Sequence, residues 1–177
     1  MMRALGPGSV SSLLKIALDV AYWTLVLALG IVVGVFIFSF FIPVDQFDIT
    51  LDGSDGPVDA PLTRSMVTFA LGFSSIYASV LIFIVNRMRL VFRTLVVGEP
   101  FDAENVRRLR HIAFALVAVV ILQLVFDPLL ALIYPQAGVN LDLGEVIVPI
   151  FSVMTVFVLS EVVREGVRLR HEQDLTI

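Results

Sequence analysis

From Val20 to Ile42 the chain reads VAYWTLVLALGIVVGVFIFSFFI, 23 residues without a charge. A bilayer's hydrocarbon core is crossed by about 20 helical residues rising about 1.5 Å each, so this run predicts a spanning helix. Lipid offers the backbone no hydrogen-bond partner, and a helix satisfies its amides within one segment. Three more apolar runs follow, giving expected spans at 20–42, 66–86, 111–134 and 146–162. The last is apolar only from Val146 to Ser160, so Leu143 to Glu145 or Glu161 to Val163 must lie among headgroups. A cleaved signal peptide is the alternative for the first run. Its apolar core would be about 7 to 15 residues followed by small ones, whereas Phe36 to Pro43 is bulky and aromatic.

Composition bears on class. Of 177 residues 58% are hydrophobic and 16% charged, against about 25% charged in soluble domains, and the mean hydropathy is +0.97. A single all-α domain over 1–177 is expected, a four-helix antiparallel bundle in the membrane. With no cysteine there is no disulfide, thiolate metal site or haem attachment.

The connections carry the turn chemistry. Met1 to Ser9, broken by Gly6-Pro7-Gly8, is expected as a loose leader, with Ser11 or Ser12 capping a helix from Leu13. The loop 44–64 holds Asp45, Asp48, Asp52, Asp55 and Asp59. Within it FDITL alternates and Asp52-Gly53 and Asp55-Gly56 are turn dipeptides, so a short β-hairpin fits. A calcium loop at DGSDG lacks the alternating ligands and distal glutamate. Between Arg87 and Arg110, Gly98 supplies a left-handed stop after Val97 and Glu99-Pro100 forbids continuation. Asp102 then caps the next helix, its carboxylate facing the amides of Glu104 or Asn105. Phe101 and Val106 close a hydrophobic staple across that cap. Asp142 with Glu145 forms a capping box before the last span, and Pro149 is expected to kink its first half.

Orientation follows from the basic residues. Arg3 and Lys15 precede the first span; Arg87, Arg89, Arg93, Arg107, Arg108 and Arg110 lie in the 87–110 hairpin; Arg164, Arg168 and Arg170 lie in the tail 163–177. Only Arg64 is on the other side. The positive-inside rule places both termini and the hairpin in the cytosol and the acidic loop outside.

Inside the apolar runs, Gly30 and Gly34 form GxxxG, and Thr68, Gly72, Ser75 and Ser79 share a helical face. Such faces suit close packing, here within one protomer, with homodimerisation as the alternative. Asp127-Pro128, one turn from Gln123, interrupts the third run. An intramembrane carboxylate is a candidate ion or proton site, yet Asp127 also suits the cap of a kink made by Pro128. In the tail, Glu161 with Arg164, Glu165 with Arg168 and Arg168 with Glu172 stand at pairing distance on a helix.

Motifs for catalysis, nucleotide binding and metal are missing from the sequence, and His111 and His171 belong to arginine-rich helices. No enzyme activity, cofactor, metal or direct nucleic-acid binding is expected. The segments GEPFDAENVRRLRHI and EVVREGVRLRHEQDLTI resemble the bacterial membrane family called domain of unknown function 2975. The likeness rests on Gly98, Pro100, Phe101, Glu104 and Asn105 in the hairpin and on the ending Asp174 to Ile177, and is expected to cover the whole chain. It implies a four-span bacterial inner-membrane protein without established activity, whose genes often accompany a small helix-turn-helix regulator. A regulatory partner on the cytosolic face is therefore expected, met by Arg107, Arg108 and Arg110 with Asp174, Leu175 and Ile177. The rival readings are a small transport protein using Asp127 and an accessory subunit packed through Gly30 and Gly72.

Overall fold

Four helices account for most of the chain: α1 Val10–Ser39, α2 Arg64–Val97, α3 Ala103–Ile133 and α4 Leu143–Asp174. The computed structural model describes residues 10–41, 48–53, 56–61, 63–133 and 143–174. Among them, all four helices are long and apolar enough to cross a membrane. The helix α1 begins at Val10, ahead of the cap expected at Ser11 or Ser12. In the acidic loop the expected hairpin forms: β1 Asp48–Gly53 pairs antiparallel with β2 Gly56–Pro61, from Asp48 opposite Pro61 to Gly53 opposite Gly56.

The helices pack in chain order, α1 on α2, α2 on α3 and α3 on α4, with no more than marginal contact between any other helix pair. Among the described residues this is an open row, a finer arrangement than the four-helix bundle expected from the spans. The core lies along α3, which supplies five of the seven buried hydrophobic residues among those described: Leu109, Ile112, Ala113, Ala115 and Val119. Ile84 of α2 joins them, with Tyr77, Val80 and Met88 from α2 and Val156 and Val163 from α4 packed around. Further along, Phe126 sits 4.0 Å from Phe73 and 5.5 Å from Phe69, centroid to centroid. Phe114 meets Phe157 edge-on. An α1 so thinly covered would be costly in water, where each exposed leucine-sized side chain forfeits about 1.5–3 kcal/mol, but lipid is as apolar as the side chains.

Two features inside the spans differ from the in-chain glycine packing and the interruption of α3 that the sequence suggests. A Cβ added at Gly30, Gly34 or Gly72 would meet nothing within 4 Å, so these glycines make no close helix contact in the chain. The hydroxyls beside Gly72 need no neighbour either, because Thr68, Ser75 and Ser79 each bond the carbonyl four residues back at 2.7–2.8 Å. Second, Asp127-Pro128 does not interrupt α3, which continues through Pro128 to Ile133. Proline removes one backbone hydrogen bond, which a long helix packed on both sides survives. Pro149 likewise lies inside α4. The capping residue Asp142 lies outside the described residues.

One close approach couples the α2–α3 turn to α4. A Cβ on Gly166 would overlap the Phe101 ring, so the turn seats its aromatic on a position of that helix that has no side chain. Gly166→Val should destabilise the protein by about 1–3 kcal/mol through overpacking. In a Phe101→Ala background most of that loss should vanish, which thermal unfolding of the four proteins in detergent would measure.

Candidate functional site at the α2–α3 turn

The turn is built from both helix ends inward. Gly98 adopts φ 90°, the left-handed conformation that a side chain makes costly. The Gly98 amide donates to Leu95 O at 3.1 Å and the Glu99 amide to Thr94 O at 3.0 Å, the paired bonds that close a helix of this kind. Asp102 caps α3 by accepting from the Glu104 amide at 2.9 Å. Between the two caps sits Asn105, 1% exposed. Its Nδ2 donates to Thr94 Oγ1 at 2.6 Å and to Pro100 O at 3.4 Å, and its Oδ1 accepts from Arg108 at 3.0 Å. Thr94 passes its own proton to Val91 O at 2.7 Å, while Arg108 also reaches Leu90 O at 3.3 Å. Such a chain of aligned bonds strengthens its members in low dielectric.

The same end of the molecule gathers the ends of the other helices. Ser160, 2% exposed, donates across to Val106 O at 3.4 Å. Arg89 of α2 grips Asp19 of α1 at 2.5 Å, with Lys15 on the same carboxylate at 2.9 Å, and the guanidinium of Arg89 lies 4.3 Å over the Tyr22 ring. The extension of α4 carries the three expected pairs, Glu161 with Arg164, Glu165 with Arg168 and Arg168 with Glu172. Such exposed pairs contribute about 0–1 kcal/mol each and chiefly keep the helix soluble.

The residues expected to meet a partner divide. Arg107 is exposed and pairs with Glu104, Arg110 is exposed, and Arg108 is turned inward to brace Asn105. Asp174 ends α4, while Leu175 and Ile177 lie outside the described residues. Of the hairpin motif, Gly98, Pro100, Phe101, Asp102 and Asn105 all act in closing the turn or seating it on α4. Glu104 faces outward with Arg107. Val97 (72% exposed) and Phe101 (43%) leave apolar surface beside these charges. Gln123 is half-buried and Asp127 lies within the unbroken α3, so the backbone there offers no unwound segment of the kind that forms intramembrane ion sites. Among the described residues no three metal-ligating side chains converge.

Sequence reasoning missed Asp19–Arg89, Ser160–Val106, Phe101–Gly166 and the whole Asn105 relay. Asp19 and Arg89 are the one pair with a usable signal, since a carboxylate at the head of an apolar run invites an arginine at matching depth. The burial of two nitrogens, Arg87 Nε and His111 Nδ1, was also missed; among the described residues neither has a hydrogen-bond partner.

Long apolar helices joined by a compact, hydrogen-bonded turn define a multi-pass membrane protein. The chain belongs to the family described as protein of unknown function, DUF2975, which it matches over residues 53–177. The match takes in the hairpin motif and the ending but begins at Gly53, so α1 lies outside it, and the whole-chain likeness expected is narrowed accordingly. No curated protein and no solved structure matches the chain.

Removing Asn105 tests the relay. Asn105→Ala should cost about 2–3 kcal/mol, because it strips partners from Thr94, Pro100 O and the Arg108 cation at once. Arg107→Gln, which loses one exposed pair, should cost less than about 1 kcal/mol by the same unfolding measurement.

Proposed function

We propose that the chain is a bacterial inner-membrane protein with four antiparallel spans, its termini and α2–α3 turn in the cytosol. There it holds a small helix-turn-helix regulator and releases it in response to a signal from the envelope. The orientation draws on the 11-to-1 distribution of basic residues, in which only Arg64 falls on the outer side. The contact between Arg89 and Asp19, with Asn105 on Thr94 and Ser160 on Val106, supports three chain reversals that return every helix to that end.

The observation that carries the docking reading is a rigid, mixed surface. Exposed Arg93, Arg107 and Arg110 surround Val97 and Phe101 on a turn whose backbone is fixed by both caps and by Asn105. A partner would meet positive charge and apolar area without first ordering a loop, which spares the entropy that flexible interfaces lose. Basic groups of this kind suit an acidic or apolar face of the regulator and leave its DNA-binding surface free. The family resemblance supplies the class of partner.

Topology reporters fused after Val97 or Ile177 should read as cytosolic and one inserted at Gly53 as external. A cytosolic reading at Gly53 would reverse the orientation. Truncation at Gln173 should leave membrane abundance unchanged while a co-purifying regulator is lost, and the capture should weaken as salt rises past about 0.15 M, where exposed charges more than about 8 Å apart are screened. Loss of abundance together with capture would count against docking.

A further inference from the structure

A groove opens between α2 and α3, lined by Ile76, Ser79, Val80, Phe83, Ala115 and Ala118. Its walls are helical stripes. On α2 the row through 76, 80 and 83 continues to Arg87, and on α3 the row through 118 and 115 continues to His111. The Ser79 hydroxyl is satisfied by Ser75 O at 2.7 Å, so the groove is apolar along its length. At the end nearest the turn it changes character. Arg87 Nε and His111 Nδ1 are both buried there without a hydrogen-bond partner. The Arg87 guanidinium stands 5.0 Å over the Phe83 ring, and that ring lies 6.5 Å from the His111 imidazole.

Arg87 is half-buried, and its Nε is shut off from water. Among the described residues no carboxylate pairs with Arg87, whereas Arg89 two positions on has Asp19. Its contact with Phe83 is worth about 0.5–2 kcal/mol, but a ring face does nothing for an N–H donor held away from water. The donor calls for an acceptor and the uncompensated charge for an anion, and a phosphodiester meets both through two oxygens. The groove adds the second half of the specification. Arg87 sits at the inner limit of the span expected at 66–86, so the cation is at headgroup depth and the apolar channel runs from it toward the bilayer centre. One molecule has negative charge at one end and an alkyl chain at the other, in that orientation.

We infer that the α2–α3 groove, headed by Arg87 and His111, binds one anionic phospholipid, its phosphate on the guanidinium and one acyl chain between Phe83 and Ala118. The inference rests on the membrane reading given above. His111 Nδ1 contributes as a donor in the tautomer that carries its proton there. Bound so, the lipid fills the gap between the two helices that hold the turn.

The test uses the full chain reconstituted in vesicles of phosphatidylglycerol and phosphatidylcholine in equal parts, extracted in mild detergent and weighed by native mass spectrometry. One phosphatidylglycerol should remain on the protein in preference to phosphatidylcholine. Arg87→Gln should reduce that retention about tenfold, the loss expected of one charge-assisted pair. Ala118→Phe, which blocks the channel and leaves the cation, should reduce it too, while Arg64→Gln at the far end of α2 should not. Equal retention of the two lipids by the unaltered chain overturns the proposal, whatever the variants do. Displacement of the lipid by inorganic phosphate overturns it as well, since that shows a headgroup site without the chain. A protein that washes from the vesicles in alkaline carbonate refutes the membrane reading itself, and the lipid site with it.

Discussion

A chain that reverses direction beside a bilayer has to satisfy the polar groups of its turn from its own side chains, and here Asn105 carries that constraint. Its amide offers two donors and an acceptor, and all three are used, on Thr94, Pro100 and Arg108. A shorter or apolar residue would leave the end of α2 and the start of α3 joined only by their caps. Because Asn105 is fixed, Arg108 is fixed against Leu90, and Phe101 is held where Gly166 can receive it. The relay thus sets the seat that Gly166 offers to Phe101, beside the Ser160–Val106 bond and the core packing that also hold α4.

What could be read from the sequence was whatever is settled within a few residues. The Gly98 stop, the Asp102 cap and the pairs along α4 depend on spacing of four or fewer positions, and the structure has them. The β-hairpin in the acidic loop was legible for the same reason, since Asp-Gly dipeptides and alternation are local signals. The Asp19–Arg89 bridge spans 70 positions, so only the matched depth of the two charges points to it. The Phe101–Gly166 fit was hidden because a lone glycine in a charged helix looks like a weak spot until its neighbour is known. Inside the spans the sequence was less legible: Pro128 reads as an interruption although α3 continues, and a glycine spacing does not say whether its neighbour lies in the same chain, where Gly30, Gly34 and Gly72 meet none.

The open row of helices follows from lipid as solvent. In water α1, with Leu13, Trp23, Leu27 and Phe38 more than half exposed, would be driven to close on α4. In a membrane that force is absent, and specific contacts decide. The ones present are polar and lie at one end: Arg89 with Asp19, Asn105 with Thr94, and Ser160 with Val106. The helices are stapled at the turn end and held elsewhere by aromatic and aliphatic packing. An arrangement of this kind leaves lipid-facing grooves between neighbours and keeps a firm surface at the stapled end, which is where the proposed partner would dock.

The central claim is that the α2–α3 turn and the emerging part of α4 form one unit. Because the chain has no cysteine, a pair introduced at Val106 and Ser160 can be cross-linked without background in native membranes. A short bifunctional thiol reagent should join the two within a single chain, at the mass of one protomer. Failure to link, or linkage only between chains, would contradict the account.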